Sequence, residues 1–393
     1  MSPRSGRRRR RPSWAEAVEF CSLRLREEVP RGGKRLIALV GVVLVLIILW
    51  DAFETVVLPR RVARRLRITG IYYRVFGELW FAIAERLRDA RRREAFLSLF
   101  GPLSLILLLA TWAAGLVLGF GLIHWEAGAR ATPVEETANF WTALYFSGSS
   151  FFTLGLGDVA PRTGFGRTAA VVEAGTGFVL LALVVGYLPV LYQAFSRREV
   201  EISLLDEWAG SPPSAGELLR RLGRWGDVGA VSVFLSRWEE WAADLLESHI
   251  SYPILAGFRS QHGNQSWVAG LTTILDACAL VISSVEGVPH RSAHLTFAMA
   301  RHVAVDLCQV LGTPPLAPER DRLPPVELAR LRVTLREAGV TIREDQTSAA
   351  ALGDLRAMYE PYVNSLADFL LLPLPNWLPE PGVRDNWQKS KWV

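Results

Sequence analysis

Cysteine is nearly absent: Cys21, Cys278 and Cys308 lie far apart and form no CxxC pair. That spacing supports neither a disulfide framework nor a zinc site. A dinucleotide fingerprint is missing too. Gly223, Gly226 and Gly229 have the wrong spacing for the phosphate-binding turn and follow no strand, which argues against a Rossmann-type regulatory domain. Strand alternation is scarce, and no β-roll that would cradle a cyclic nucleotide is evident. No serine, cysteine or carboxylate constellation suggests catalysis, so an enzyme is not expected. From Glu199 onward no apolar run reaches membrane-spanning length without charge. No cleavable signal peptide is expected, because the first strongly apolar run starts near Leu36, behind a long basic arm.

What is present is apolar and unevenly charged. Half of the 393 residues are hydrophobic, more than a water-soluble globular chain usually carries, so membrane segments are expected. Residues 1–95 hold 22 of the 44 Lys+Arg and 10 of the 39 Asp+Glu, a net of +12; the remaining residues carry 22 against 29, a net of −7. The excess arginine gathers where membrane segments begin, which points to orientation signals and anionic lipid rather than nucleic acid. The run Arg7 to Arg11 could also bind nucleic acid or lipid, but a solvated arm is the simpler reading.

Three long apolar runs follow. Leu36 to Pro59 is long enough to cross, with Asp51 and Glu54 near its end, at the interface or paired with the arginines that follow. Pro102 to Ile123 would extend roughly 33 Å as a helix. The third runs from about Arg167 to Phe195. Arg91 to Arg93 before the second run, and Arg197 with Arg198 after the third, put both ends in the cytoplasm. Between Ile68 and Leu87, residues Ile71, Tyr72, Val75, Leu79 and Ile83 share one helical face, which suits an interfacial amphipathic helix. Three crossings place the N-terminus outside. A fourth over residues 68–87 would place it inside with a better charge bias, but would bury Arg74 and Glu78. Three crossings are taken. Voltage sensing is not expected, since Arg61, Arg64 and Arg67 lie outside any apolar span.

The 43-residue connector Trp125 to Arg167 must then be external, yet its middle is aromatic: Phe140, Trp141, Leu144, Tyr145, Phe146, Phe151 and Phe152. A loop this apolar is expected to dip back into the membrane, where irregular backbone survives only if buried in protein or lining a water-filled path. It ends on Thr153-Leu154-Gly155-Leu156-Gly157-Asp158. A cation leaving water needs oxygens in place of its hydration shell, and a row of backbone carbonyls can supply them. Aiming successive carbonyls one way needs alternating backbone conformations, which glycine reaches freely. Gly155 and Gly157 meet that demand, Thr153 adds a hydroxyl, and Asp158 puts negative charge at the mouth.

These residues carry a resemblance. Trp141 to about Phe195 resembles the pore module of potassium channels, whose filter usually reads TVGYGD. TLGLGD resembles still more the second pore loop of animal two-pore-domain potassium channels, and the whole chain resembles bacterial ion-channel family proteins. With a single pore loop per chain, the resemblance implies a homotetramer. It implies ion binding by Thr153, Leu154, Gly155, Leu156, Gly157 and Asp158, and a pore helix over Asn139 to Phe152. Tyr145 would hydrogen-bond Asp158, Ser149 would tune the filter from behind, and Gly166 would start the pore-lining helix. Gly177 would be a gating hinge, with Gly186 and Pro189 as further bending points. Leu154 and Leu156 replace Val and Tyr, so the backbone chemistry survives while the bracing tyrosine hydroxyl is lost.

Other candidates are weaker. Glu173 on the last span could face the cavity or pair with Ser149 or Ser150 behind the filter. Glu126, Glu135 and Glu136 could concentrate cations, or simply be solvated. After Ser211-Pro212-Pro213, a capping box of Ser214 and Glu217 opens a series of helices, with further patterns at about 228–250, 266–285, 292–311, 324–339 and 347–371. The proline-rich tail LPLPNWLPEPG is expected to be extended. His290, His294 and His302 share a helical side near Asp306, and His249 and His262 flank a polar, aromatic stretch that would suit a ligand pocket; structural histidines are the simpler reading.

The expected architecture is an all-α membrane protein. A basic arm spans 1–35, a first transmembrane helix and an interfacial helix 36–95, a pore domain 96–198, and an all-helical cytosolic, regulatory domain 199–393. The expected function is a potassium-selective homotetrameric channel of the plasma membrane. Its expected partners are the lipid bilayer, three further copies of itself and an unidentified cytosolic ligand, with no nucleic acid and no cofactor or metal beyond permeant K⁺. Two alternatives stay open: a nonselective monovalent cation channel, and a non-conducting membrane-anchored sensor or interaction protein.

Overall fold

The computed structural model describes residues 31–58, 67–127, 130–131, 139–224 and 228–388. The basic arm before Arg31, Arg61, Arg64, Glu135, Glu136 and Gly226 lie outside the described residues. The described residues are all-α apart from one two-stranded pairing and an isolated bridge between Val285 and Ile342. The helices are α1 (Arg31–Val56), α2 (Ile68–Arg86), α3 (Ala90–Ser98), α4 (Phe100–Ala127), α5 (Phe140–Phe151), α6 (Gly164–Ala209), α7 (Ala215–Arg224), α8 (Val228–Ser251), α9 (Trp267–Ser283), α10 (His290–Leu311), α11 (Pro325–Glu337) and α12 (Gln346–Leu370). Strands β1 (Arg130–Ala131) and β2 (Val159–Ala160) pair antiparallel, with Arg130 opposite Ala160 and Ala131 opposite Val159. Among the described residues three stretches are long and apolar enough to cross a membrane: Arg35–Val56, Ala90–Ala127 and Gly164–Ala209. The α2 helix is not among them.

Two compact units divide the chain. One comprises residues 1–57 and 108–185, the other 58–107 and 186–393. The last two divisions fall inside long helices, α4 and α6, and α6 reaches 46 residues where about 29 were expected. Pro102 sits third in α4, within the first turn, where its missing N–H costs nothing.

In the first unit α1 packs on α4 through glycine. A Cβ on Gly41 would lie 2.5 Å from the Gly119 carbonyl oxygen, so only glycine permits this approach. Val45, Ile48 and Ala52 of α1 and Leu108, Trp112 and Leu116 of α4 are buried. Asp51 and Glu54 are buried as well. Trp112 Nε1 donates to Asp51 at 3.0 Å and Trp50 Nε1 to Glu54 at 2.6 Å. Much of the remaining surface is apolar: Leu36, Leu46 and Trp50 of α1, and Val171, Phe178 and Val185 of α6, are exposed.

The second unit holds a conventional core. Helix α9 is apolar all round and buried nearly throughout, with α8, α10 and α12 packed on it. Helices α8 to α12 lie within two residues of the ranges read from periodicity. Ser214 Oγ accepts the Glu217 N–H at 3.3 Å, but the capping box is only half made, because the Glu217 carboxylate turns to Arg220 and Arg221. The tail is irregular but anchored: Trp377 is buried and its carbonyl accepts the Gly216 N–H at 2.9 Å. Helix α2 packs in this unit by its aromatic side, Trp80 stacking on Phe96 and Phe81 against Phe100. Its other face leaves Ile71, Val75, Leu79 and Ile83 exposed, while Tyr72 departs from that stripe and donates to the Ser104 carbonyl at 2.8 Å.

Candidate functional site

Helix α5 is set by its ends. Asn139 caps it, its Oδ1 accepting the Thr142 N–H at 2.8 Å. At the other end the N–H groups of Phe152, Thr153 and Leu154 close onto the carbonyls of Gly148, Ser150 and Ser149 at 3.0, 3.0 and 2.8 Å. The last turn's carbonyls are thereby satisfied, and the chain leaves the helix in a new direction.

The next residues alternate. Thr153, Gly155 and Gly157 take φ values of 57°, 60° and 80°, while the intervening leucines do not enter the left-handed region. For a β-branched threonine this is an outlier of the kind found at functional sites. Alternation of this sort turns what would be a pleated strand into a row whose successive carbonyls face one side. A Cβ on Gly155 or Gly157 would meet nothing within 4 Å, so backbone conformation, not crowding, is what glycine provides here. Leu154 and Leu156 are 63 % and 61 % exposed in the single chain. Asp158 closes the row: Tyr145 Oη donates to its Oδ2 at 2.9 Å, and its Oδ1 accepts the Val159 N–H at 3.0 Å. The β1–β2 pairing follows at once.

Helix α6 begins at Gly164, two residues before Gly166, and Thr163 Oγ1 accepts the Gly166 N–H at 3.0 Å. A Cβ on Gly177 would collide with the Phe151 carbonyl oxygen, so Gly177 lets α6 lie directly against the end of α5. Gly186 has open space around it, and Pro189 lies inside a helix that continues past it. Ser149 is buried, and its carbonyl anchors Leu154.

Glu173 goes elsewhere than expected. It is fully buried, and its partners are Ser147 and His124 rather than Ser149 or Ser150. Ser147 is one helical turn before Ser150, the turn that faces α6. Sequence reasoning missed His124 and Ser147 because nothing local marks them; a histidine near the end of an apolar span was the one available signal.

The histidines of the second unit do not converge. Among the described residues no group of three or more His, Cys, Asp or Glu could hold a metal ion. His302 pairs with Asp306 at 3.4 Å and His290 meets the Val285 carbonyl at 3.2 Å. The stretch around His249 is filled rather than open. Arg198, fully buried, reaches His249 Nε2 at 3.2 Å, Glu199 at 3.0 Å, and the carbonyls of Leu255 and Phe258 at 2.9 and 2.8 Å. His249 Nδ1 lies 2.9 Å from the Leu245 carbonyl, so it carries the proton and Nε2 accepts from Arg198. Burial and the adjacent Arg198 hold the His249 imidazole well below its ordinary value of 6.5. A cavity of about 520 Å³ lies elsewhere, lined by Glu201, Leu204, Trp208, Phe234, Arg237 and Trp238.

Residues 105–193 match the family described as "Ion channel". The match covers α4 through most of α6, including α5 and the alternating segment, so an ion-channel domain lies in this part of the chain. The chain is also 24 % identical over 269 residues to an uncharacterized membrane protein, YdjJ, of Bacillus subtilis (strain 168); the alignment covers 66 % of this chain and 74 % of that one. No solved structure matches. Channel-family match, apolar helices and membrane relative together support a membrane protein and ion transport.

Proposed function

We propose that the chain is one subunit of a homotetrameric, potassium-selective channel in the plasma membrane, with α5 as its pore helix and Thr153 to Asp158 as its filter. The observation that carries this reading is the alternating left-handed backbone at Thr153, Gly155 and Gly157, closed by the Tyr145–Asp158 hydrogen bond. Four such rows around an axis would replace the hydration shell of a dehydrated cation with carbonyl oxygens. Supporting it, the channel-family match spans this segment, and the two leucines and the α6 residues Val171, Phe178 and Val185 are exposed apolar surface that neighbouring copies and lipid would cover.

Ions would move down their electrochemical gradient, entering past Asp158. Helix α6 would line the inner pore and bend near Gly177, Gly186 or Pro189, and the C-terminal helices would lie in the cytoplasm and govern the gate, with an unidentified ligand. One observation favours a second reading. Leu156 brings no hydroxyl to brace the row, which suits a nonselective monovalent cation pore.

Reconstitution in planar bilayers with K⁺ on one side and Na⁺ on the other tests both. A reversal potential strongly favouring K⁺ is expected, with current lost in Gly155→Ala. A reversal potential near zero selects the nonselective pore, and silence at every condition overturns the channel reading.

A further inference from the structure

Three helices of the first unit meet at a buried polar group that the carbonyl row does not use. Glu173 of α6 touches Ser147 of α5 through Oε1 and His124 of α4 through Oε2, the latter at 2.8 Å. Ser147 Oγ also donates to the Val117 carbonyl of α4 at 2.7 Å. All three side chains are fully buried. Among the described residues nothing meets His124 Nδ1, and the ring stands edge-on to Phe146 at 4.8 Å.

The donors can be counted. Ser147 has one hydroxyl proton, and a carbonyl cannot donate, so the contact with Val117 uses that proton. The Ser147–Glu173 contact then needs a proton from Glu173. With a proton on Oε1 and an Nε2–H on His124, each of the three contacts has one donor and one acceptor. With Glu173 ionised, the Ser147 proton turns to the carboxylate and the tie to Val117 is lost. The proton on Glu173 thus selects whether the Ser147 hydroxyl proton binds α5 to α4 or to α6.

We propose that Glu173 is a positioning residue whose bound proton sets how α5 is held, and through α5 the proposed filter. This rests on the channel reading above. The route is short. Ser147 lies two residues from Tyr145, which holds Asp158, and two from Ser149, whose carbonyl holds Leu154. Gly177, one turn beyond Glu173, lies against Phe151. Besides His124, no other ionisable group among the described residues shares the contact. Tyr145 is engaged with Asp158, and Glu126 lies two residues beyond His124 at the end of α4. Asp51 takes the indole N–H of Trp112, about 18 Å back along α4 from His124.

The full chain, reconstituted in liposomes, would be read in two ways: infrared difference spectra between acid and alkaline buffer, and K⁺ flux over the same pH range. A carboxylic C=O band that titrates and disappears in Glu173→Gln is expected. Wild-type flux should change about fivefold across that titration, the population shift of one net hydrogen bond. Glu173→Gln and Ser147→Ala should flatten the profile, with Ser147→Ala keeping the band. A merely structural role would lower flux in the variants and leave the profile's shape intact, which would overturn the proposal, as would spectra showing Glu173 ionised throughout. A titrating band in a protein that passes no K⁺ at any pH would overturn the channel reading instead and leave the proton-selected tie standing.

Discussion

Helices α6 and α9 are both apolar, yet they end in opposite circumstances. α9 buries nearly every side chain inside the second unit. α6 exposes Val171 at 74 %, Phe178 at 67 % and Val185 at 65 %. The same driving force, removal of apolar surface from water, acts on both. The difference lies in what does the covering. Helix α9, at 17 residues, is too short to span a bilayer and is surrounded by amphipathic neighbours that supply apolar faces. The first unit supplies few such faces to α6, so that side of α6 stays exposed in the single chain. Polar groups follow the same division. In the second unit a buried ion network joins Asp276, Arg322, Tyr359 and Glu360, whereas in the first the buried Glu173 carboxyl meets hydroxyl and imidazole partners.

The largest effect expected from breaking this contrast is on conduction. Gly157→Ala forces an L-residue to φ 80° at a cost of about 1–2 kcal/mol in each subunit. K⁺ flux should fall at least tenfold, while second-unit stability in a urea titration of the detergent-solubilised chain stays unchanged. Next is the ion network. Arg322→Met leaves Asp276, which is fully buried, without its 2.6 Å partner and should cost about 3–5 kcal/mol of second-unit stability in the same titration.

A paired substitution tests the covering itself. Leu280→Ala in α9 should destabilise by about 2–5 kcal/mol. Val179→Ala in α6, at a site 57 % exposed, should stay within about 0.5 kcal/mol in detergent. If Val179→Ala proves as costly as Leu280→Ala, protein rather than lipid covers that face.

A further test is a pH slope. The His249 imidazole has a lowered value in the folded chain, so the unfolded state binds the proton more readily. Its contribution is fully present above about pH 6.5 and is lost as pH falls through the lowered folded value, at up to about 1.4 kcal/mol per pH unit. His249→Gln should remove that slope from unfolding curves measured between pH 7 and 5.

Periodicity made most of the helical framework legible. The stretch from Val228 to Leu370 could be divided almost correctly because amphipathic helices repeat locally and their ends carry capping signals such as Ser266 and Asp345. The helix over Phe140 to Phe151, with Asn139 at its cap, was implied by the resemblance to potassium-channel pores rather than by periodicity. Reasoning from neighbours in sequence failed where partners lie far apart along the chain. Glu173 was assigned to Ser149 or Ser150, but which serine of α5 faces α6 depends on the rotation of one helix against another. His249 was read as a structural histidine, with a ligand pocket as the alternative, and Arg198, 51 residues earlier, fills that space.

The sequence by itself determined that this chain enters a membrane, that its C-terminal half folds as helices, and that two alternating glycines follow a short aromatic helix. Each of these rests on local pattern, on apolar run length, on 3.6-residue periodicity, and on the one residue that reaches left-handed backbone freely. Only the tertiary structure decided that Thr153 joins those glycines at positive φ, that Gly41 and Gly177 are sites of close backbone approach, and that Glu173 shares its carboxyl with Ser147 and His124. Those depend on how helices distant in sequence meet, and packing at van der Waals distance leaves no trace in any single stretch of the chain.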